Sequence, residues 1–152
     1  MITFVDAETK TRRTSGIIPL HGEAGFAGMR KAGNLTAQAL DLLVDRVKPG
    51  VTTAALDRMA YEFACDNGAI PATIFYKGYR HSICTSINHV VCHGIPDERP
   101  LREGDIVNID ISVFYGGMHG ACADGVDGPI SFLILVLFCE SFGKYSSRFP
   151  RR

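Results

Sequence analysis

The chain has 152 residues, with 16 Lys+Arg against 16 Asp+Glu and a hydrophobic share of 46%. That length fits one domain with a buried core, and that composition excludes wholesale disorder. A formal net charge of zero, with no basic stripe, argues against a nucleic-acid binder. The cysteines Cys65, Cys84, Cys92, Cys122 and Cys139 are odd in number, irregularly spaced and without a Cys-x-x-Cys pair. They read as reduced thiols of a cytoplasmic protein rather than a disulfide framework or a zinc site. Met1–Arg13 is charged and lacks a long apolar stretch, so it does not read as a secretory signal.

In chain order, residues 1–24 read as a polar lead-in. A helix follows, because Met29, Ala32, Thr36, Ala39, Leu43 and Val47 recur at steps of three and four and share a face. Lys48-Pro49-Gly50 stops it. A second helix starts at Val51-Thr52-Thr53, where either threonine can cap the first turn. Its apolar face is Leu56, Met59, Ala60, Phe63 and Ala64, and Asn67-Gly68 ends it. Thr73–Tyr76 is a short strand candidate, Lys77–Arg80 a turn, and Ser82–Val91 a longer extended stretch. Gly94–Asp97 and Glu103–Asp105 carry turn residues.

The clearest strand is Ile106–Phe114. Val107, Ile109, Ile111 and Val113 alternate with Asn108, Asp110 and Ser112, which places the two sets on opposite faces. Tyr115-Gly116-Gly117 permits a tight hairpin. With Tyr115-Gly116 as the loop, Ser112 faces His119 and Asp110 faces Ala121. Directly opposed side chains have Cβ atoms about 4.5–5.5 Å apart. Two carboxylates there would suit a pair of bridged metal ions, but the second position is alanine. Asp124 lies three residues further on, an odd offset that puts it on the wrong face unless a bulge intervenes. His119 shares the face of Ala121 and could serve as a weak ligand. Cys92 and His93, as neighbours on an extended strand, would point to opposite sides and form no dyad.

Several blocks in fixed order carry a resemblance. They are Val51-Thr52-Thr53, Gly68-Ala69, Tyr76-Lys77-Gly78-Tyr79, Ser82-Ile83-Cys84, Ser86-Ile87-Asn88, Val91-Cys92-His93-Gly94-Ile95-Pro96, Gly104–Asp110 and His119-Gly120. Over Lys31–Gly120 the chain resembles type I methionine aminopeptidase of the bacterial kind. The resemblance implies an α/β (α+β) fold, the N-terminal half of a pita-bread arrangement with helices packed on a mainly antiparallel sheet. Three segments follow from it: an N-terminal extension at 1–24, a partial aminopeptidase domain at 25–120 and a divergent tail at 121–152.

The resemblance also implies roles. Asp110 matches a bridging metal ligand. His93 matches the histidine that contacts substrate and stabilises the transition state. Tyr76, Tyr79 and Cys84 match residues lining the methionine side-chain pocket. Ala121 stands where the family has its second aspartate, and a histidine and two glutamates complete the family's ligand set further along. The implied activity is metal-dependent removal of the initiator methionine from nascent proteins. The implied cofactors are two divalent ions per site, of cobalt, manganese, iron or zinc. The implied partners are peptides with N-terminal methionine or nascent chains, with no nucleic acid, no membrane and a monomeric state. Each residue also has a plainer reading: an aspartate on a strand as a hydrogen-bonded structural group, a histidine as a surface polar residue, tyrosines as packing aromatics.

Beyond Gly120 the similarity fades into Ala121–Gly125, an apolar run Ile130–Cys139 and a basic end at Lys144, Arg148, Arg151 and Arg152. The run is too short to span a bilayer, which takes about 20 residues. This pattern suggests a shifted reading frame, a misread intron or another truncation. The chain is then expected to be inactive or weakly active, to hold no metal pair, and to leave an uncovered apolar sheet face. Two other readings stay open: a non-catalytic module binding peptide N-termini or a partner, and a gene product without function.

Overall fold

The computed structural model describes residues 3–6, 17–74 and 76–125. The apolar run Ile130–Cys139 and the basic end lie outside these residues. The elements, in chain order, are β1 (Thr3–Asp6), β2 (Ile17–Leu20), α1 (Glu23–Val44), α2 (Thr53–Asp66), β3 (Ile70–Pro71), a 3-10 turn (Tyr76–Gly78), β4 (Ile83–Ile87), β5 (Val107–Tyr115) and β6 (Met118–Gly125). The lead-in is more ordered than its polarity suggests, since β1 and β2 pair in parallel.

Strand β5 is the centre of the main sheet. On one edge it pairs antiparallel with β6 along its length. On the other it pairs first with β4, from Ile87↔Val107 to Ile83↔Ile111, and then with the short β3 at Val113 and Phe114. The alternation read from the sequence holds. Val107, Ile109, Ile111 and Val113 are at most 1% exposed and pack with Leu40, Leu43, Leu56, Ala60 and Ile83 into one core. Both helices therefore cover the same sheet face, and Asn108, Asp110 and Ser112 lie on the other.

Helix α2 starts where the threonines place it: the Thr52 hydroxyl accepts from the Ala55 N–H at 3.1 Å. Gly68 follows the helix in the left-handed conformation, φ 67°, where glycine carries no Cβ strain. Helix α1 lies across β5 and β6. The approach at Gly120 is close: a methyl group there would come 2.6 Å from the Ala32 carbonyl and from the Thr36 hydroxyl oxygen. Thr36, fully buried, keeps its hydroxyl satisfied by donating to the Ala32 carbonyl at 2.9 Å.

The structure corrects four local expectations. Thr73–Tyr76 is not a strand, because Ile74 N donates to Pro71 O and Tyr76 N to Thr73 O, closing successive turns. The extended stretch ends at Ile87, because Asn88 turns left-handed at φ 53° and caps the connection on both sides. Its backbone N–H donates to Ile106 O, its amide oxygen accepts from Ile106 N–H, and its amide nitrogen donates to Asp105 at 2.8 Å. His93 is not in an extended strand but left-handed, φ 54°. Finally, the hairpin loop is Gly116-Gly117, not Tyr115-Gly116. Both glycines have positive φ, 57° and 84°, as a tight primed turn demands. The register therefore moves by two residues: Asp110 faces Ala123, Ser112 faces Ala121 and Phe114 faces His119.

Candidate functional site

The site grows from one cross-strand pair. Cys84 on β4 stands directly opposite Asp110 on β5, so their side chains emerge side by side on the sheet face away from the helices. Ser112 follows Asp110 on that face. The 3-10 turn brings Tyr76, Lys77 and Tyr79 over it, and the loop after β4 brings His93 and Ile95. These residues, with Thr73 and Gly78, line one cavity of about 580 Å³. Tyr76, Tyr79, Cys84, His93 and Asp110, the five residues singled out from the sequence, thus lie around a single space.

Local contacts hold each wall. The loop bearing His93 is fastened along β4 through Gly94. Its N–H donates to Ser86 Oγ at 3.2 Å and its carbonyl accepts from Thr85 N–H at 2.9 Å. A side chain at Gly94 would meet the Thr85 carbonyl oxygen at 2.1 Å, so only glycine permits this approach. Further on, Asp97 is tied to the start of α2: its carbonyl accepts from Ala54 N–H and its N–H donates to the Thr53 hydroxyl. The other wall is held by Asp57 of α2. One carboxylate oxygen accepts from Ser82 N–H at 2.6 Å and Ile83 N–H at 3.1 Å, and the other is 3.1 Å from the His81 ring. His81 in turn meets Tyr79 edge to face, with centroids 5.6 Å apart.

Burial sets the electrostatics. It raises the Asp110 carboxyl above its ordinary range, and the charge of His93 pulls the other way. It raises the Cys84 thiol as well; the hydrogen bond with Tyr79 opposes the shift, and Asp110 adds to it. The Tyr79 phenol is pushed far up by burial first and by Cys84 second. It therefore stays protonated and donates, to Ile83 O at 2.9 Å. The cavity is an apolar and aromatic pocket with a soft sulfur wall and one carboxylate at its base, a combination that suits a thioether side chain bearing an amine.

Lys77, Ser112, Thr73 and Ile95 line the cavity without having been singled out. Ser112 was readable, being two residues from Asp110 on the polar side of an alternating strand. His119 shares the Asp110 face but lies at its hairpin end, where its ring packs 4.8 Å from that of Phe114. Asp124 stands opposite Ile109, out of phase with Asp110.

A dinuclear metal centre does not fit the donors gathered here. Ala121, diagonal to Asp110 across the β5–β6 pair, offers no ligand atom. Among the described residues no group of three or more His, Cys, Asp or Glu converges as a metal site. Two bridged ions need several shared carboxylate and imidazole ligands.

Comparison with known proteins agrees with this architecture. Residues 27–126 match metallopeptidase family M24. The chain is 53% identical over 103 residues to a methionine aminopeptidase of Rickettsia prowazekii, covering 68% of this chain and 40% of that protein. It is 43% identical over 117 residues to methionine aminopeptidase 1D of Arabidopsis thaliana, covering 77% of this chain and 33% of that protein. In three dimensions it superposes on the Rickettsia prowazekii methionine aminopeptidase crystal structure with TM-score 0.71 at 50% identity, over 72% of this chain and 44% of that one. The Thermotoga maritima methionine aminopeptidase superposes with TM-score 0.66 at 32% identity, over 68% of this chain and 42% of that one. The chain thus spans about two-fifths of the Rickettsia relative's length, and its helices and sheet correspond to part of the pita-bread fold. With its motifs in order, its sheet in register and most of its length matched, the chain belongs to metallopeptidase family M24, as a homologue of the methionine aminopeptidases.

Proposed function

We propose that this chain carries the substrate-recognition side of metal-dependent removal of N-terminal methionine from nascent proteins. Tyr76, Tyr79 and Cys84 receive the methionine side chain, His93 contacts the peptide, and Asp110 holds the position of a metal ligand. The single observation that supports this reading is the convergence of all five residues on one cavity. In the whole enzyme the reaction would use two divalent ions, of cobalt, manganese, iron or zinc, in a cytoplasmic setting. In this chain Ala121 removes the partner carboxylate, so we assign it binding of methionine-initiated peptides without hydrolysis. The chain's own residues then do three things: they desolvate the thioether, orient the peptide N-terminus toward Asp110, and hold the Tyr79 proton as a donor.

The test is a paired measurement on the 152-residue chain with a Met-Ala-Ser peptide. Calorimetry should show saturable binding, while free methionine released with Mn²⁺ present should stay at the no-protein level. Metal-dependent, saturable methionine release would overturn the binding-only assignment. Equal binding of an Ala-Ala-Ser peptide would overturn the methionine pocket.

A further inference from the structure

The candidate cavity is lined by one acidic side chain, Asp110, and two basic ones, Lys77 and His93, the latter beside Asp110. Asp110 lies on the sheet floor, half-buried among Cys84, Ser112 and the Tyr79 wall. Lys77 lies at the mouth, on the exposed 3-10 turn. Lys77 is held in an uncommon backbone conformation, φ 49° and ψ 32°, which a non-glycine residue adopts at a cost. The turn is closed behind it by Tyr79 N–H donating to Tyr76 O at 3.0 Å. Its ammonium lies over the Tyr76 ring, 5.5 Å from the centroid, so the aromatic face restricts where this flexible side chain points. Among the described residues no other lysine or arginine lines the space.

A cavity with an anion at its floor and a cation at its mouth complements a ligand with those charges reversed and separated. Resting on the methionine-binding reading, we propose that Lys77 is a specificity-determining residue that recognises a carboxylate one residue beyond the N-terminal methionine. The ligand's α-ammonium points down to Asp110, its thioether fills the tyrosine–cysteine wall, and the carboxylate pairs with Lys77. That carboxylate has two sources: the free C-terminus of a Met-X dipeptide, or an acidic side chain at the second position of a longer peptide. A volume of about 580 Å³ lies within the usual range for small-ligand pockets, about 300–1,000 Å³.

Binding to the full chain, measured by calorimetry at low and high salt, tests this without any metal or turnover. The probes are Met-Gly, Met-Gly-NH₂, Met-Glu-NH₂ and N-acetyl-Met-Gly. Because Lys77 is solvent-exposed, the gain from a carboxylate should be about three- to fivefold over Met-Gly-NH₂, shrinking with added salt. A gain for Met-Gly alone identifies the C-terminal carboxylate, and a gain for Met-Glu-NH₂ alone the side chain; either supports the proposal. K77Q should bind all three free-amine peptides equally, and K77E should reverse the order. Circular dichroism of both variants checks that the fold is kept. Equal binding of the three by the unaltered chain would overturn the role of Lys77 and leave the methionine pocket standing. N-acetyl-Met-Gly binding as well as Met-Gly would overturn the ammonium end. If no methionine peptide binds at all, the underlying pocket reading fails first.

Discussion

Two aspartates show how the same residue type serves opposite ends. Asp105 is 7% exposed and accepts hydrogen bonds from the Asn88 amide, the Arg102 N–H and, at 3.4 Å, Arg99. The Asn88 bond first and the Arg102 N–H second hold its carboxyl below the ordinary range. A depressed folded-state value means the carboxylate stabilises the fold at pH above about 4 and loses that effect as the pH falls through the lowered value. The stability gap between the native chain and D105N, from urea midpoints, should therefore be open at pH 6 and close on acidification below about 4. Asp110 runs the other way. Its carboxyl is raised by burial, so ionising it opposes folding. D110N should raise the thermal midpoint at pH 7, with the gain fading as the pH drops toward about 4. A D110N chain less stable at pH 7 than the native one would show that Asp110 is a structural anchor rather than a strained functional group.

At the level of elements, amphipathic periodicity located both helices, and strict alternation located β5, because each buries one face against a single core. Elements without such periodicity were not legible. The short turns at Thr73–Tyr76 are made by backbone hydrogen bonds that leave no hydrophobic pattern. The hairpin register depended on which two of three residues formed the loop, and paired positive φ angles at Gly116 and Gly117 decided it. Gly120 shows the same limit, since only the docked position of α1 reveals why a side chain there is excluded. G120A should cost about 1–3 kcal/mol through overpacking against Ala32 and Thr36, read as a lowered denaturant midpoint at unchanged slope. No change in midpoint would mean that α1 shifts freely over β6.

For the whole molecule, the sheet has one covered face and one face bearing Asn108, Asp110, Ser112, Cys84 and Ser86. The expected uncovered apolar face is therefore polar along β5: alternation sends the aliphatic residues to the helices. Ala121 lies on the functional face, two residues out of direct register with Asp110 but on the same side. Restoring a carboxylate with A121D should convert a weak, non-saturating Mn²⁺ titration into a saturable one, by calorimetry, with peptide binding retained. A121D indistinguishable from the native chain would mean that these two positions do not approach closely enough to share an ion.

The sequence alone determined the two amphipathic helices, the central strand with its polar and apolar sides, the family and the five candidate residues. These are local or periodic properties, written into spacing and residue type. Only the tertiary structure decided that Cys84 faces Asp110, that Gly94 lets the His93 loop press against β4, that Lys77 stands at the cavity mouth and that the hairpin register places Ala121 opposite Ser112. Those facts depend on strand pairing and on atoms brought within a few ångströms across long stretches of chain, which no periodicity along the chain encodes.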